Sequence, residues 1–238
     1  MTDHAGPIAT AARNFRSLAR SRATLWVAGA ILLIHLAVAV AAPGIGFYES
    51  FGLSRAGFLT GKIWQLFTHG LLHGAWWHVS LNALFVLLIG PRVEHIAGVA
   101  VTLRVLLAGV LGGGLFHLML GSGLLVGLSG GCMALLLLLT TLSPQSRMMP
   151  LPVSGRSLGL GILLAALILT LLNPELRLPG LSDAGSWLER LGYGSWFKMG
   201  HACHFGGALA GWLYGRWMLR QRVTLEKLRR DRARRGRG

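Results

Sequence analysis

The chain has 238 residues, of which 53% are hydrophobic and 13% charged, and its mean hydropathy is +0.57. An ordinary soluble domain carries about 25% charged residues, so this composition excludes a soluble globular domain. A net charge of +15 would favour a nucleic-acid partner in a soluble protein. Here the basic residues flank apolar sequence, so we predict a multi-pass membrane protein in contact with lipid and exclude a nucleic-acid partner.

Six apolar runs predict six membrane-spanning helices, because a span takes about 20 apolar residues. They cover residues 24–42, 73–90, 99–120, 126–142, 157–173 and 201–218. The first run resembles a signal peptide, but its long basic arm and long apolar core favour a retained helix. Many of the 34 glycines fall within these runs, where small residues let helix backbones approach closely.

An even number of spans places both termini on one side, and the positive-inside rule makes that side cytoplasmic. We therefore predict a basic cytoplasmic arm (1–23), an all-α six-helix membrane domain (24–218) and a basic cytoplasmic tail (219–238). The aromatic-rich loop 43–72 is expected to lie on the outer leaflet. An arginine-rich, lysine-poor composition favours a bacterial cell (inner) membrane as its location.

Polar side chains inside spans are costly, so those that lie within the runs are candidates for function. The candidates are His73, His78, Asn82, His117, Ser129, His201 and His204. No Asp or Glu lies within a run, which excludes a carboxylate pair or a Ser-His-Asp triad in the membrane. A serine, histidines and an asparagine are sufficient for acyl transfer.

Four of these candidates fall at similar depth. In the predicted topology the second, fourth and sixth helices all start at the outer side, and each residue adds about 1.5 Å of depth. His78, Asn82, Ser129 and His204 then lie roughly 5 to 14 Å below the outer surface. Glycines beside Ser129 and after His204 favour close helix contact, which predicts that the hydroxyl and the imidazole meet as nucleophile and general base.

The same residues resemble a known family. The segment that starts at Trp64 continues to His73-x4-His78-x3-Asn82. Three further elements follow it: Gly90-x3-Glu94-x3-Gly98, Gly127-Leu128-Ser129-Gly130 and His204-Phe205-Gly206-Gly207-Ala208-Leu209-Ala210-Gly211. In order, spacing and helix assignment these elements are similar to the rhomboid intramembrane serine proteases. The resemblance covers residues 64–218.

The resemblance implies a six-helix rhomboid core in which Ser129 is the nucleophile and His204 its general base. It further implies that His78, Asn82 and the Ser129 backbone N–H form the oxyanion hole, and that the substrates are transmembrane proteins cleaved in or near their spans. Two positions depart from the family's pattern. Gln65 stands where many members have arginine, and Met133 stands where an aromatic side chain often stacks on the catalytic histidine.

Other interpretations of these residues stay open. His117, His201 and the two cysteines, Cys132 and Cys203, are interpreted as structural. The spacing of His69, His73 and His78 does not favour a metal site, and no cofactor is expected. A catalytically inactive rhomboid-like protein that binds or escorts membrane proteins is the alternative function. A transporter is less favoured, since neither an ionisable pathway nor inverted repeats are visible. A rhombosortase-like processing enzyme is a possible subtype.

Overall fold

The computed structural model describes residues 18, 21–42, 44–147, 153–197, 199–220 and 232. Most of the predicted basic arm and basic tail lies outside these residues. The described chain is helical, and its strand-type pairing is confined to two isolated bridges, Leu53–Leu125 and Arg147–Ser154. The all-α prediction is therefore confirmed within the described residues.

Six helices of at least 14 residues form the body of the described chain. They are α1 (Arg22–Ala41), α2 (Trp76–Ala97), α3 (Val99–Leu120), α4 (Ser129–Leu142), α5 (Gly155–Leu171) and α6 (His201–Met218). The short helices Ile45–Phe51, Arg55–Leu59, Gln65–Thr68 and His69–Leu71 lie between α1 and α2, and Pro174–Leu176, Leu181–Leu188, Glu189–Tyr193 and Gly194–Phe197 lie between α5 and α6.

Among the described helices, α1, α2 and α3 are long and apolar enough to cross a membrane by themselves. The helices α4 and α5 are apolar but shorter, with 14 and 17 residues. The sequence placed the starts of α2 and α4 about three residues too early. Before α2, Ala75 is extended, and before α4, Gly127 has a φ of +125°, which an α-helix does not accept.

The centre of the bundle is α4, which packs against α3 and α6. Ten of its 14 residues are buried, including a run of five leucines. A Cβ added to Gly207 of α6 would lie 2.7 Å from the Cα of Gly130, and one added to Gly113 of α3 would lie 2.7 Å from Cys203 Sγ. These contacts require glycine, because any side chain would hold the helices apart.

A carboxylate joins α1 to α2. Glu94, near the end of α2, accepts hydrogen bonds from the backbone N–H groups of Ala23 and Thr24 and from the Thr24 hydroxyl, at 3.0 to 3.3 Å. Ala23 and Thr24 belong to the first turn of α1, whose N–H groups lack partners within the helix. The negative charge therefore caps α1 and holds its start against α2.

The loop between α1 and α2 is held by its own polar side chains. Gln65 is fully buried, donates to the carbonyl of Glu49 at 2.8 Å and accepts from the N–H of Ser54 at 3.3 Å. The glutamine thus anchors the loop at the position where the family's pattern often has arginine. Leu53 pairs with Leu125 through two backbone hydrogen bonds, so the anchored loop supports the segment that leads into α4.

Candidate active site

A cavity of about 740 Å³ opens among the helices. Its lining includes Ser129 at the start of α4, His204 in the first turn of α6, and His78 and Asn82 in the first two turns of α2. The structure therefore brings these four side chains, which sequence analysis selected from three helices, to one cavity. Apolar side chains of α2 and α5 complete its walls.

Counted from the observed helix starts, the four residues occupy a narrow range of positions along their helices. Ser129 is the first residue of α4, and His78, His204 and Asn82 lie two, three and six residues after the starts of their helices. At 1.5 Å per residue, this spread corresponds to a layer of about 9 Å.

Ser129 is presented by a braced loop. Two residues before it, the N–H of Gly127 donates to the carbonyl of His69 at 2.8 Å. The next N–H, of Leu128, donates to Nε2 of the buried His73 at 3.4 Å. Because Ser129 begins α4, its own N–H belongs to a helical turn that has no intrahelical acceptor. Such an N–H is available to a group in the cavity.

His204 contacts a second histidine on α6. One turn earlier, His201 presents its ring to the edge of the His204 ring at a centroid distance of 5.9 Å. His201 is itself fixed by a 2.7 Å hydrogen bond between Nε2 and the carbonyl of Trp196. Met133, where the family's pattern favours an aromatic, lines the cavity. The adjacent histidine thus contacts the imidazole that an aromatic side chain often orients.

The described residues show no hydrogen bond between the side chains of Ser129 and His204. Instead, the Ser129 side chain lies beside the Cys203 thiol, on the turn of α6 that also carries His204. The two side chains nevertheless share one cavity, because α4 and α6 are in backbone contact at Gly130 and Gly207.

The α2 side of the cavity carries two polar side chains, His78 and Asn82, that can donate hydrogen bonds. A Cβ on Gly127 would lie 2.8 Å from His78 Nε2 and 3.6 Å from Asn82 Nδ2, so both side chains approach the loop that leads to Ser129. The His78 ring stacks on Trp77 at 5.5 Å and meets the His73 ring edge-on at 5.1 Å. Asn82 Nδ2 is buried without a hydrogen-bond partner, and such a donor is ready to receive a developing negative charge.

Several residues that were interpreted as structural from the sequence contact this site. Cys132 donates a hydrogen bond to Asn82 Oδ1 at 3.6 Å, and His201 contacts His204. Spacing alone indicated neither contact, because both depend on which way a side chain points from its helix. Among the described residues, no group of three or more His, Cys, Asp or Glu side chains is arranged to hold a metal ion.

Comparison with known proteins agrees with this architecture. The model of the Rhomboid domain matches residues 60–221, which is more than half of the chain. The protein therefore belongs to the rhomboid family, and the resemblance drawn from its motifs is confirmed. It is also similar to Rhomboid-like protein 16, chloroplastic, of Arabidopsis thaliana, with 37% identity over 70 residues. That alignment covers 29% of this chain and 22% of the plant protein.

Proposed function

We propose that this rhomboid is an intramembrane serine endopeptidase in which Ser129 is the nucleophile and His204 the general base. The observation that carries the proposal is the convergence of Ser129, His204, His78 and Asn82 on one cavity. Hydroxyl, imidazole and amide groups of this kind are the parts that acyl transfer needs. The reaction requires no cofactor or metal.

The proposed reaction begins when the His204 ring accepts the hydroxyl proton of Ser129 as the oxygen attacks a peptide carbonyl carbon. His78, Asn82 Nδ2 and the Ser129 N–H donate hydrogen bonds to the resulting oxyanion. The C–N bond then breaks, and the departing amine takes the proton from His204. Water, activated by the same histidine, attacks the acyl-enzyme and releases a carboxylic acid and free Ser129. Catalytic hydrogen bonds are often long without substrate, so the absent Ser129–His204 bond is compatible with this role.

The substrates we propose are transmembrane segments of other proteins, which reach the site laterally. Trp77 and Phe85 of α2 line one side of the cavity, and Leu169 and Thr170 of α5 line another. A segment entering between α2 and α5 would meet apolar walls before it meets Ser129. Near the site it must unwind, because a helical peptide bond hides its carbonyl carbon.

The proposed topology has six spans with both termini in the cytoplasm of a bacterial cell, and the membrane domain comprises residues 24–218. Three arginines precede α1, a fourth, Arg22, is its first residue, and ten basic residues occur from Arg216 to Arg237 inclusive. This distribution supports the orientation by the positive-inside rule. The arm (1–23) and tail (219–238) then lie at the anionic inner leaflet, where basic residues bind lipid headgroups.

Labelling with a fluorophosphonate probe in detergent tests the peptidase proposal. The parent chain should label covalently, and both Ser129→Ala and His204→Ala should abolish labelling while retaining the parent's thermal unfolding temperature. A folded parent that never labels would refute the proposal. It would favour the alternative, an inactive rhomboid-like protein that binds or escorts membrane proteins.

A further inference from the structure

The orientation of the Asn82 amide decides whether it can serve the proposed reaction. An amide presents either its NH₂ group or its oxygen to a cavity, and only the NH₂ group donates to an oxyanion. Asn82 is 95% buried, being 5% exposed, and its Nδ2 has no hydrogen-bond partner. The same atom lies 3.6 Å from the Cβ position of Gly127, two residues before the nucleophile. A flipped amide would direct oxygen lone pairs toward the developing negative charge.

Cys132 is the side chain that contacts the other end of this amide. It lies three residues after Ser129 on α4 and is 1% exposed. Its Sγ lies 3.6 Å from Asn82 Oδ1 and 3.8 Å from the Asn82 carbonyl oxygen. Both oxygens can only accept, so the thiol donates. No other side-chain hydrogen bond is made by Asn82 in the described part of the chain.

We propose that Cys132 is a positioning residue for the oxyanion hole, and this inference rests on the proposed peptidase function. Its thiol donates to Asn82 Oδ1 and thereby directs Nδ2 toward the carbonyl group that Ser129 attacks. Cys132 and Ser129 share one helical turn, so the thiol also ties the donor on α2 to the nucleophile on α4. The reverse amide orientation would pair the NH₂ group with sulfur, a weak acceptor, and is disfavoured.

The kinetics of fluorophosphonate labelling separate this role from simple packing. Cys132→Ala should lower the maximal inactivation rate about 3- to 10-fold, as expected for loss of one modest hydrogen bond, and leave the probe's half-saturation concentration unchanged. Cys132→Ser keeps a donor and should restore the rate to within about twofold of the parent. In an Asn82→Ala background, Cys132→Ala should have no further effect, because the group that it orients is gone.

Two kinetic results would overturn the proposal. One is a Cys132→Ala rate equal to that of the parent. The other is an equal loss with and without Asn82, which would indicate a general packing defect. The parent and Ser129→Ala run in the same assay, so a parent that never labels refutes the peptidase function itself and is distinguished from a failure of Cys132 alone.

An infrared measurement tests the contact independently of activity. The sequence contains two cysteines, so Cys203→Ala leaves Cys132 as the single thiol. Its S–H stretching band should move to higher frequency when Asn82→Ala removes Oδ1 and leaves only the more distant backbone carbonyl oxygen at 3.8 Å, and it should stay in place in Ser129→Ala. A band that does not respond to Asn82→Ala would overturn the proposal even in an active protein.

Discussion

Gly207→Ala tests whether close contact between α4 and α6 builds the site. The added Cβ would lie 2.7 Å from both the Cα and the carbonyl carbon of Gly130, and closer still to its oxygen, whereas ordinary contact begins at 3.4 Å. Backbone atoms cannot rotate away, so the helices must separate by at least about 0.7 Å at this level. Ser129 precedes Gly130 on α4, and His204 lies one turn before Gly207 on α6. The substitution should therefore move the proposed nucleophile away from the proposed base.

We expect Gly207→Ala to slow fluorophosphonate labelling about 10- to 100-fold, since a misplacement of about 1 Å costs up to 10²-fold. Overpacking should also lower the free energy of unfolding by about 1–3 kcal/mol. Gly161→Ala on α5 is the matched control, because a Cβ there meets nothing within 4 Å. It should label like the parent and unfold at the same or a higher temperature. A Gly207→Ala chain that labels at the parent rate would refute the reasoning.

Three further substitutions test other parts of the structure. Gly127→Ala would place a Cβ 2.6 Å from His78 Cε1 and should abolish labelling. Gly123→Ala is the control, because Gly123 also has a positive φ but its Cβ would meet open space, so this change should lower only the stability. Equal effects of the two substitutions on labelling would contradict the proposed role of the Gly127 contact. Glu94→Gln removes the charge that caps α1 and should lower the free energy of unfolding by about 1–3 kcal/mol in detergent; an unchanged unfolding temperature would count against the cap. Burial lowers the pKa of His69 from 6.5 to about 4. Its unfolded form therefore gains a proton first, so stability is full above pH 6.5 and falls by about 3 kcal/mol as the pH drops to 4. His69→Gln should flatten this pH dependence of the unfolding temperature, and an equally steep fall in the variant would contradict it.

The helices could be predicted from the sequence because a helix that crosses a membrane needs a run of about 20 apolar residues, and such runs are visible in the sequence. For α3 and α6 the predicted bounds, 99–120 and 201–218, agree with the structure. The starts of α2 and α4 were placed too early, since hydropathy does not distinguish an extended apolar segment from a helical one. Gly127 was the available signal for α4, because glycine permits a φ that ends regular structure.

The candidate site could be predicted as a set of residues but not as a set of contacts. Depth along three helices selected Ser129, His204, His78 and Asn82, and the structure places all four around one cavity. The contact of Cys132 with Asn82 was not predicted, because it depends on how α2 and α4 are rotated about their axes. Sequence spacing along a single helix carries no information on that rotation.

In the proposed topology, Ser129 lies inside the membrane although it is the first residue of a helix, and the length of α4 accounts for this. Its 14 residues extend about 21 Å, whereas the hydrocarbon core is about 30 Å thick. In the proposed topology the cytoplasmic end of α4 lies at the inner boundary, so Ser129 lies about 9 Å below the outer one. The segment 121–128 supplies the missing length, and within it the N–H groups of Leu125, Gly127 and Leu128 donate to Leu53, His69 and His73. Non-helical backbone is tolerated at that depth only where protein or water covers it. Under the proposed function, the short helix and the braced loop are thus two parts of one arrangement, which would give the proposed nucleophile access to water below the membrane surface.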